Sequence, residues 1–132
     1  MKKLMFVLST FVLGAVLMAF TLGAGPFEDV VGALKQGDTN GLSRYLDNNV
    51  EINMMGKSNS YSKAQAEIIL KDFFSKNQVK SFELIHQGEA TGGGSRFGIG
   101  NMTTSGGNYR TSFFLQKKGN NTVLDKLRFE TK

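Results

Sequence analysis

The sequence contains no cysteine and only one histidine, and these two shortages already restrict its chemistry. Without cysteine the chain forms no disulfide bond and cannot be anchored as a lipoprotein. Metal sites of the usual kind need several histidine or cysteine ligands, so a lone His86 argues against a zinc centre. Lysine and arginine form no run longer than the pair Lys117–Lys118, which argues against a nucleic-acid partner.

The first 24 residues have the organisation of a secretory signal peptide. Lys2 and Lys3 precede an apolar run over 4–20, and a segment of small residues over 21–25 follows. We therefore predict cleavage near residue 24 and export to the periplasm or the cell exterior, with no membrane attachment afterwards. The apolar run is somewhat long, so an uncleaved membrane anchor is the competing interpretation. Loss of Lys2 and Lys3 would lower the formal net charge from +5 to +3.

Residues 25–132 are enough for one domain, and within them 61–77 is the most strongly patterned stretch. Ser62 and Gln65 form a predicted capping box at the start of a helix. Apolar residues then recur at helical spacing, namely Ala66, Ile69, Leu70, Phe73 and Phe74. We expect a core helix that ends at Asn77 in a left-handed conformation.

Two shorter helices and a strand are predicted before this core helix. Pro26 suits the first position of a helix that ends at Gly37. Asp38 is expected to cap a second helix, which runs to residues 48–49. Residues 50–54 alternate in polarity as a short strand does, and residues 56–60 are expected to be a polar connection.

After residue 77 the apolar period changes from 3.6 to 2. Four strands are predicted, over 82–87, 96–104, 108–117 and 122–130, and the glycine- and asparagine-rich breaks between them predict hairpins. Helices followed by such a meander predict an α+β fold, in which the N-terminal helices pack on one face of a curved, mainly antiparallel sheet.

Glycine is frequent in this second half, yet its spacing argues against a phosphate-binding loop. No GxGxxG or GxxxxGK pattern is present, and the glycines lie between strands rather than before a helix. Gly98 and Gly100 differ because they lie in mid-strand on one face. We expect the sheet to bend there, with close approach of a helix or ligand as the alternative. No cofactor is predicted.

Five side chains are candidates for lining an apolar ligand pocket: Tyr45, Tyr61, His86, Tyr109 and Arg110. Arg96 is a further group that could orient a ligand. Strict alternation places His86 on the strand face of Phe82 and Leu84, where it would line a cavity or cap the edge of the core. Tyr109 and Arg110 point to opposite sides of their strand unless a bulge intervenes. A structural role is the simpler interpretation for each residue, and no catalytic residue is predicted.

Residues 61–74, 82–90, 96–110 and 124–130 resemble a family of small exported bacterial proteins that is classed as a domain of unknown function. The wider resemblance is to the nuclear-transport-factor-2-like superfamily, whose fold is a cone-shaped α+β roll. This resemblance implies the roll fold and export from the cytoplasm, but it implies no activity. Superfamily relatives include ketosteroid isomerase and scytalone dehydratase as well as non-catalytic binding and dimerisation modules.

Three functional hypotheses are compatible with these patterns. The first is a non-catalytic module, a homodimer that holds a small apolar ligand in its roll. A second copy is the simplest cover for a sheet whose strands are apolar on both faces. The second is a hydrolyase- or isomerase-like enzyme, which needs a buried Asp or Glu beside Tyr45, His86 or Tyr109. The third is a protein-interaction domain whose roll is filled by phenylalanine.

Overall fold

The computed structural model describes residues 25–90 and 92–132, in which two helices, two strands, one helix and four strands follow one another. The predicted signal peptide lies outside these residues. The helices are α1 (Pro26–Gln36), α2 (Thr39–Ser43) and α3 (Lys63–Lys76), and no helix among the described residues is long and apolar enough to cross a membrane. The strands are β1 (Leu46–Met54), β2 (Lys57–Ser62), β3 (Val79–Glu89), β4 (Ser95–Thr104), β5 (Gly107–Lys118) and β6 (Asn121–Thr131).

Local sequence determines where α1 begins and ends. Pro26 is its first residue, a position at which the missing N–H has no intrahelical partner in any case. Gly37 follows the last residue in the left-handed conformation, with φ of 63°. The N–H of Asp38 then donates to the carbonyl of Ala33 at 2.9 Å, which satisfies a carbonyl group that the helix itself leaves unpaired.

The predicted capping box of α3 is confirmed. The Ser62 hydroxyl accepts from the N–H of Gln65 at 3.3 Å, and the Gln65 side chain accepts from the N–H of Ser62 at 3.1 Å. The expected left-handed conformation of Asn77 is wrong, since its φ is −129°. Asn77 instead ends the helix with its side chain, whose amide donates to the carbonyl of Phe73 at 3.0 Å.

The sequence prediction is only partly right in the segment between α1 and α3. The predicted strand over 50–54 lies within β1, and the second helix exists but is shorter than expected. α2 ends at Ser43, and residues 48–49 belong to β1 rather than to a helix. Residues 57–62 form the strand β2, which pairs antiparallel with β1. A two-residue turn joins them, in which Met55 and Gly56 have φ of 53° and 84°, the positive values that such hairpin turns require. β2 has no apolar alternation, because it is a largely exposed edge strand.

The six strands form one sheet in the order β2-β1-β6-β5-β4-β3. β3 to β6 are the predicted antiparallel meander, with bounds close to those expected. β1 inserts beside the last strand and runs parallel to it. The predicted α+β fold, with helices on one face of a mainly antiparallel sheet, is confirmed.

Aromatic rings fill the space between the helices and the sheet face on which they pack, which we call the inner face. The ring centre of Phe73 in α3 lies 4.5 Å from that of Phe129 and 5.2 Å from that of Tyr109. Towards the other end, the ring centre of Phe27 in α1 lies 5.1 Å from that of Phe113. In the described residues, the interior of the roll is therefore occupied by side chains of the protein.

The mid-strand glycines of β4 are explained by the same rings. A Cβ atom on Gly98 would lie 2.5 Å from the ring of Phe113, and one on Gly100 would meet the ring of Phe82. Phenyl rings from β5 and β3 thus lie over the bare strip of β4, a cross-strand arrangement that stabilises glycine within a sheet. The alternative expectation, close approach of a helix or ligand, does not account for this strip.

Candidate functional site

The five predicted pocket residues lie in separate parts of the fold. Tyr45 is half-buried between α2 and β1, and Tyr61 packs against the core from the edge strand β2. Tyr109 is buried beneath α3, whereas His86 and Arg110 are exposed on the opposite face of the sheet, which we call the outer face. No cavity described below brings more than one of the five together. A ligand role for any of them stays a prediction.

His86 reaches the outer face because β3 contains a bulge. Leu84 is paired with Gly100 of β4, but His86 is paired with Ile99, so one extra residue is accommodated between them. Such an insertion reverses the alternation of side chains from that point onward. The prediction that His86 shares a face with Leu84 is therefore wrong.

The Tyr109 side chain lies in the core, where both its hydroxyl and its ring contact other residues. Its hydroxyl donates to the side-chain oxygen of Asn77 at 2.8 Å, and its ring packs edge-on against Phe73. Asn77 is itself buried and holds the carbonyl of Phe73 through its amide. This network ties β5 to the end of α3 and places the tyrosine out of reach of solvent.

Tyr45 contacts a carboxylate, although the enzyme hypothesis requires a buried one and Asp29 is only half-buried. Its hydroxyl donates a short hydrogen bond to Oδ2 of Asp29 in α1. This hydrogen bond, with a smaller contribution from burial, raises the pKa of Tyr45. Both side chains are half-buried and border an open cavity of about 210 Å³. The hydrogen bond connects α1 to the segment that leads into β1.

A row of aromatic side chains crosses the outer face of the sheet. The ring centre of Phe97 in β4 lies 5.9 Å from that of His86 in β3 and 6.0 Å from that of Phe114 in β5. The ammonium nitrogen of Lys126 in β6 lies 5.4 Å from the centre of the Phe114 ring. Phe97 and Phe114 are each half-buried. We call these four residues the outer row.

The outer face over β1 and β6 is charged instead of aromatic. Glu51 pairs with Lys126 at 3.0 Å, and Arg128 pairs with Glu130 at 3.3 Å. Hydrogen bonds from Ser58 and Lys126 hold the pKa of Glu51 below its usual value. Exposed pairs of this kind contribute little to stability, so this half of the face is a polar surface that carries both signs of charge.

Two further open cavities lie at the mouth of the roll, between α1 and the ends of β3 and β4. The larger, of about 370 Å³, is lined by Phe27, Glu28, Val31, Gly32, Lys35, Leu84, Gln87 and Arg96. The smaller, of about 220 Å³, lies towards β5 and also borders Phe27 and Arg96. We call the larger cavity the mouth groove. Among the described residues no group of three His, Cys, Asp or Glu side chains is placed to hold a metal ion.

Arg96 stands between these two cavities in a fixed position. Its guanidinium carbon lies 3.9 Å from the ring centre of Phe27, a cation–π contact. Its Nη2 donates to Oε1 of Gln87 at 3.0 Å, and its Nε lies 3.6 Å from the Glu89 carboxylate. The sequence indicated that Arg96 could orient a ligand. It did not predict the contact with Phe27, because the two residues are distant along the chain.

Comparison with known proteins identifies the family and the fold. The profile of the DUF4783 family, described as a domain of unknown function, matches residues 27–130. A crystal structure of a DUF4783 family protein from Bacteroides uniformis is 35% identical, with a TM-score of 0.75 over 80% of this chain and 95% of that one. One from Bacteroides ovatus is 33% identical, with a TM-score of 0.75 over 79% and 93%.

The wider resemblance is confirmed at the level of fold. An NTF2-like protein from Cytophaga hutchinsonii is only 9% identical, yet it superposes with a TM-score of 0.59 over 81% of this chain and 93% of its own. Such a low identity shows a shared fold alone. Among curated proteins, none matches the sequence.

Proposed function

The chain belongs to the DUF4783 family, and we propose that it is a non-catalytic module that pairs with a second copy of itself through the outer face of its sheet. The observation that carries this proposal is the outer row. Phe97 and Phe114 stack on a face that no helix of the described residues covers, and each ring keeps part of its surface in water. A second sheet laid against this face would bury both rings.

Burial of the two phenylalanine rings of this row would contribute favourably to pairing. Fully burying a phenylalanine side chain contributes roughly 1.5–3 kcal/mol, and a half-buried one gains part of this amount. In a two-fold dimer each contact occurs twice, because the same patch is used on both copies. Each copy supplies Phe97 and Phe114, so four phenylalanine rings contribute to the free energy of pairing in the dimer.

Charge favours a second copy over an unrelated partner. The outer face carries acidic Glu51 and Glu130 beside basic Lys126 and Arg128. A surface with both signs can complement itself when it is turned by 180°, whereas a face of one sign would repel its own copy. The charged half would then form the polar rim around an aromatic centre, the usual anatomy of an interface.

We place this pairing outside the cytoplasm, since residues 1–24 have the pattern of a signal peptide. Cell fractionation and N-terminal sequencing of the protein from its native cells test the location. A mature N-terminus near residue 25 in the periplasm or medium is expected, and an unprocessed protein in the cytoplasm would contradict it.

The alternative, a hydrolyase- or isomerase-like enzyme, is supported by one contact, that between Asp29 and Tyr45. It is the weaker candidate for two reasons. The Asp29 carboxylate already accepts a hydrogen bond from the Tyr45 hydroxyl, and the raised pKa makes Tyr45 a poorer acid. A general acid–base pair needs pKa values closer to neutral pH.

Sedimentation equilibrium over a range of concentrations tests the pairing. The natural protein is expected to have the mass of two chains, and Phe97→Ser or Phe114→Ser should shift it to one. Ile68→Ser is the matched control, because Ile68 on α3 is 69% exposed and lies away from the outer face. That variant should keep the dimer mass. A natural protein that stays monomeric at every concentration rejects the proposal.

A further inference from the structure

We propose that the mouth groove binds a small amphipathic carboxylate, an apolar chain that ends in one carboxylate group, and that Arg96 holds the carboxylate. The groove lies on the inner side of the sheet, opposite the outer row, so this binding site is independent of the pairing proposed above. Three observations support this site: a mid-helix glycine at Gly32, the position of the Arg96 guanidinium group and the charge of the groove lining.

Gly32 keeps space open in the groove at a cost to the helix. A glycine in the middle of a helix is destabilising relative to alanine. Apart from its two chain neighbours and the backbone of α1 itself, no heavy atom of the described residues lies within 4 Å of where a Cβ on Gly32 would be, so packing against other elements does not require a glycine there. At Gly41, by contrast, a Cβ would meet Asp38 and Ala33. The space above Gly32 belongs to the mouth groove and to the cavity beside Tyr45.

One face of α1 forms a wall of the groove. Glu28, Val31, Gly32 and Lys35 follow the i, i+3, i+4, i+7 spacing that puts residues on one side of a helix, and all four line the groove. The apolar part of the lining is made by Phe27, Val31 and Leu84. A volume of about 370 Å³ corresponds to roughly a dozen water-sized groups, at about 30 Å³ each. A chain of about ten carbons therefore suits the space.

Arg96 is already arranged to receive a carboxylate. The ring of Phe27 and the amide of Gln87 fix the guanidinium plane, and within the described residues its Nη1 makes no hydrogen bond. Glu89 approaches the Nε side at 3.6 Å, but its side chain is 63% exposed. Exposed pairs are weak, so a ligand carboxylate can replace Glu89 and bind the guanidinium fork through two parallel hydrogen bonds.

The charge of the lining favours an anion over a cation. Arg96 and Lys35 contribute two positive charges to the groove, and Glu28 contributes one negative charge. Lys35 lies in the last turn of α1, on the face that lines the groove. An anionic headgroup is therefore attracted by both basic residues of the groove, whose lining contains one carboxylate, that of Glu28. Glu89 is not part of this lining and borders the smaller cavity on the other side of Arg96.

Equilibrium dialysis with radiolabelled decanoate, kept below its micelle-forming concentration, tests the site. The protein is expressed from its full-length gene and purified with whatever N-terminal processing the cell has carried out. We expect saturable binding of one decanoate per chain and at least about tenfold weaker binding of decylamine, which has the same chain with a positive headgroup. Equal binding of the two probes, or no saturable binding of decanoate, overturns the proposal.

Variants separate the groove from other surfaces. Arg96→Gln should weaken decanoate binding by about tenfold or more, because a charge-assisted pair is lost. Arg96→Lys should also weaken it, since lysine lacks the planar fork. Glu89→Gln removes the competing carboxylate and should leave affinity equal or up to about fivefold tighter. If Arg96→Gln binds decanoate as the natural protein does, the proposal is wrong.

Gly32→Leu places a side chain in the groove without straining the helix and should abolish decanoate binding, whereas Gly32→Ala fills less of the space and should weaken binding to a smaller extent. Circular dichroism confirms that both variants fold. Phe97→Ser, which is designed to break the pairing, should bind decanoate normally. Loss of binding in Phe97→Ser with full binding in Gly32→Leu would place the ligand on the outer face and overturn the assignment.

Discussion

The phenyl ring of Phe113 lies over Gly98 on the neighbouring strand, in the space that any other residue would need for its side chain. A Cβ on Gly98 would lie 2.5 Å from this ring and 3.1 Å from Leu84. Phe113 is fully buried and cannot move aside freely. Gly98→Ala should therefore lower the free energy of unfolding by roughly 1–3 kcal/mol, measured by urea denaturation.

Gly94→Ala is the control for this substitution. Gly94 does not have a positive φ, and apart from its two chain neighbours no described heavy atom lies within 4 Å of the position of a Cβ. Its effect should stay within about 0.5 kcal/mol. Equal effects at the two positions would mean that the ring of Phe113 is not what requires the glycine.

Gly32 within α1 and Gly37 directly after its end should respond to alanine with opposite signs. Gly32→Ala should raise the free energy of unfolding by about 0.5–1 kcal/mol, because alanine favours the helix and nothing obstructs it. Gly37→Ala should lower it by more than about 1 kcal/mol, since Gly37 has φ of 63° and a Cβ there would lie 3.1 Å from Val79 and 3.3 Å from Phe74. Thermal and urea unfolding of both variants check the signs, and destabilisation by Gly32→Ala would contradict the argument.

The hydrogen bond between Tyr109 and Asn77 predicts strong coupling between these residues. Asn77→Ala leaves the buried Tyr109 hydroxyl without its acceptor and should cost about 2–3 kcal/mol, whereas Tyr109→Phe should cost about 1 kcal/mol. The double variant should be more stable than the sum of the two losses predicts, by about 1 kcal/mol. Strict additivity in this double-mutant cycle would show that the bond contributes nothing.

Asp125 and Asp47 should have opposite effects on stability at neutral pH. Burial, together with the nearby Asp47, raises the pKa of Asp125, so the folded protein binds this proton more tightly than the unfolded chain does. The stability that this proton provides is complete below the usual pKa of 3.8 and is lost as pH rises through the raised value. Asp125→Asn should therefore be more stable than the natural protein at pH 7, with no difference at about pH 3.

Asp47→Asn is the matched comparison. A hydrogen bond from Lys118 lowers the pKa of Asp47, so its stabilising contribution is present above pH 3.8 and is lost as pH falls. This variant should be less stable than the natural protein at pH 7. Urea denaturation at pH 7 and about pH 3 measures the change in the free energy of unfolding for each variant. If both variants are more stable, or both less stable, than the natural protein at pH 7, the assignment is refuted.

Periodicity predicted most of the fold, because most elements have a strong local signal. The capping box at Ser62 and the hairpins after β3 were located from residue types alone. The failures have equally local causes. Leu46 suits the apolar face of a helix as well as the start of a strand, and only its pairing with Leu124 in β6 settles the choice. β2 has no buried stripe that a pattern could detect.

The candidate surfaces were less predictable, since they depend on contacts between distant parts of the chain. Arg96 is held by Phe27 of α1, and nothing in either local sequence indicates that contact. The outer row depends on the register of four strands, and the bulge after Leu84 brings His86 into it. Bulges insert one residue without a distinctive composition, so strict alternation placed His86 on the wrong side.

The parallel pairing of β1 with β6 imposes an order on folding. Without β6 the sheet falls into two separate pieces, β2-β1 and β5-β4-β3. Residues 55–120 separate the two partners along the chain, and the ribosome adds only about 5–20 residues per second. The nascent polypeptide therefore has no means of closing its sheet until the last strand has been synthesised.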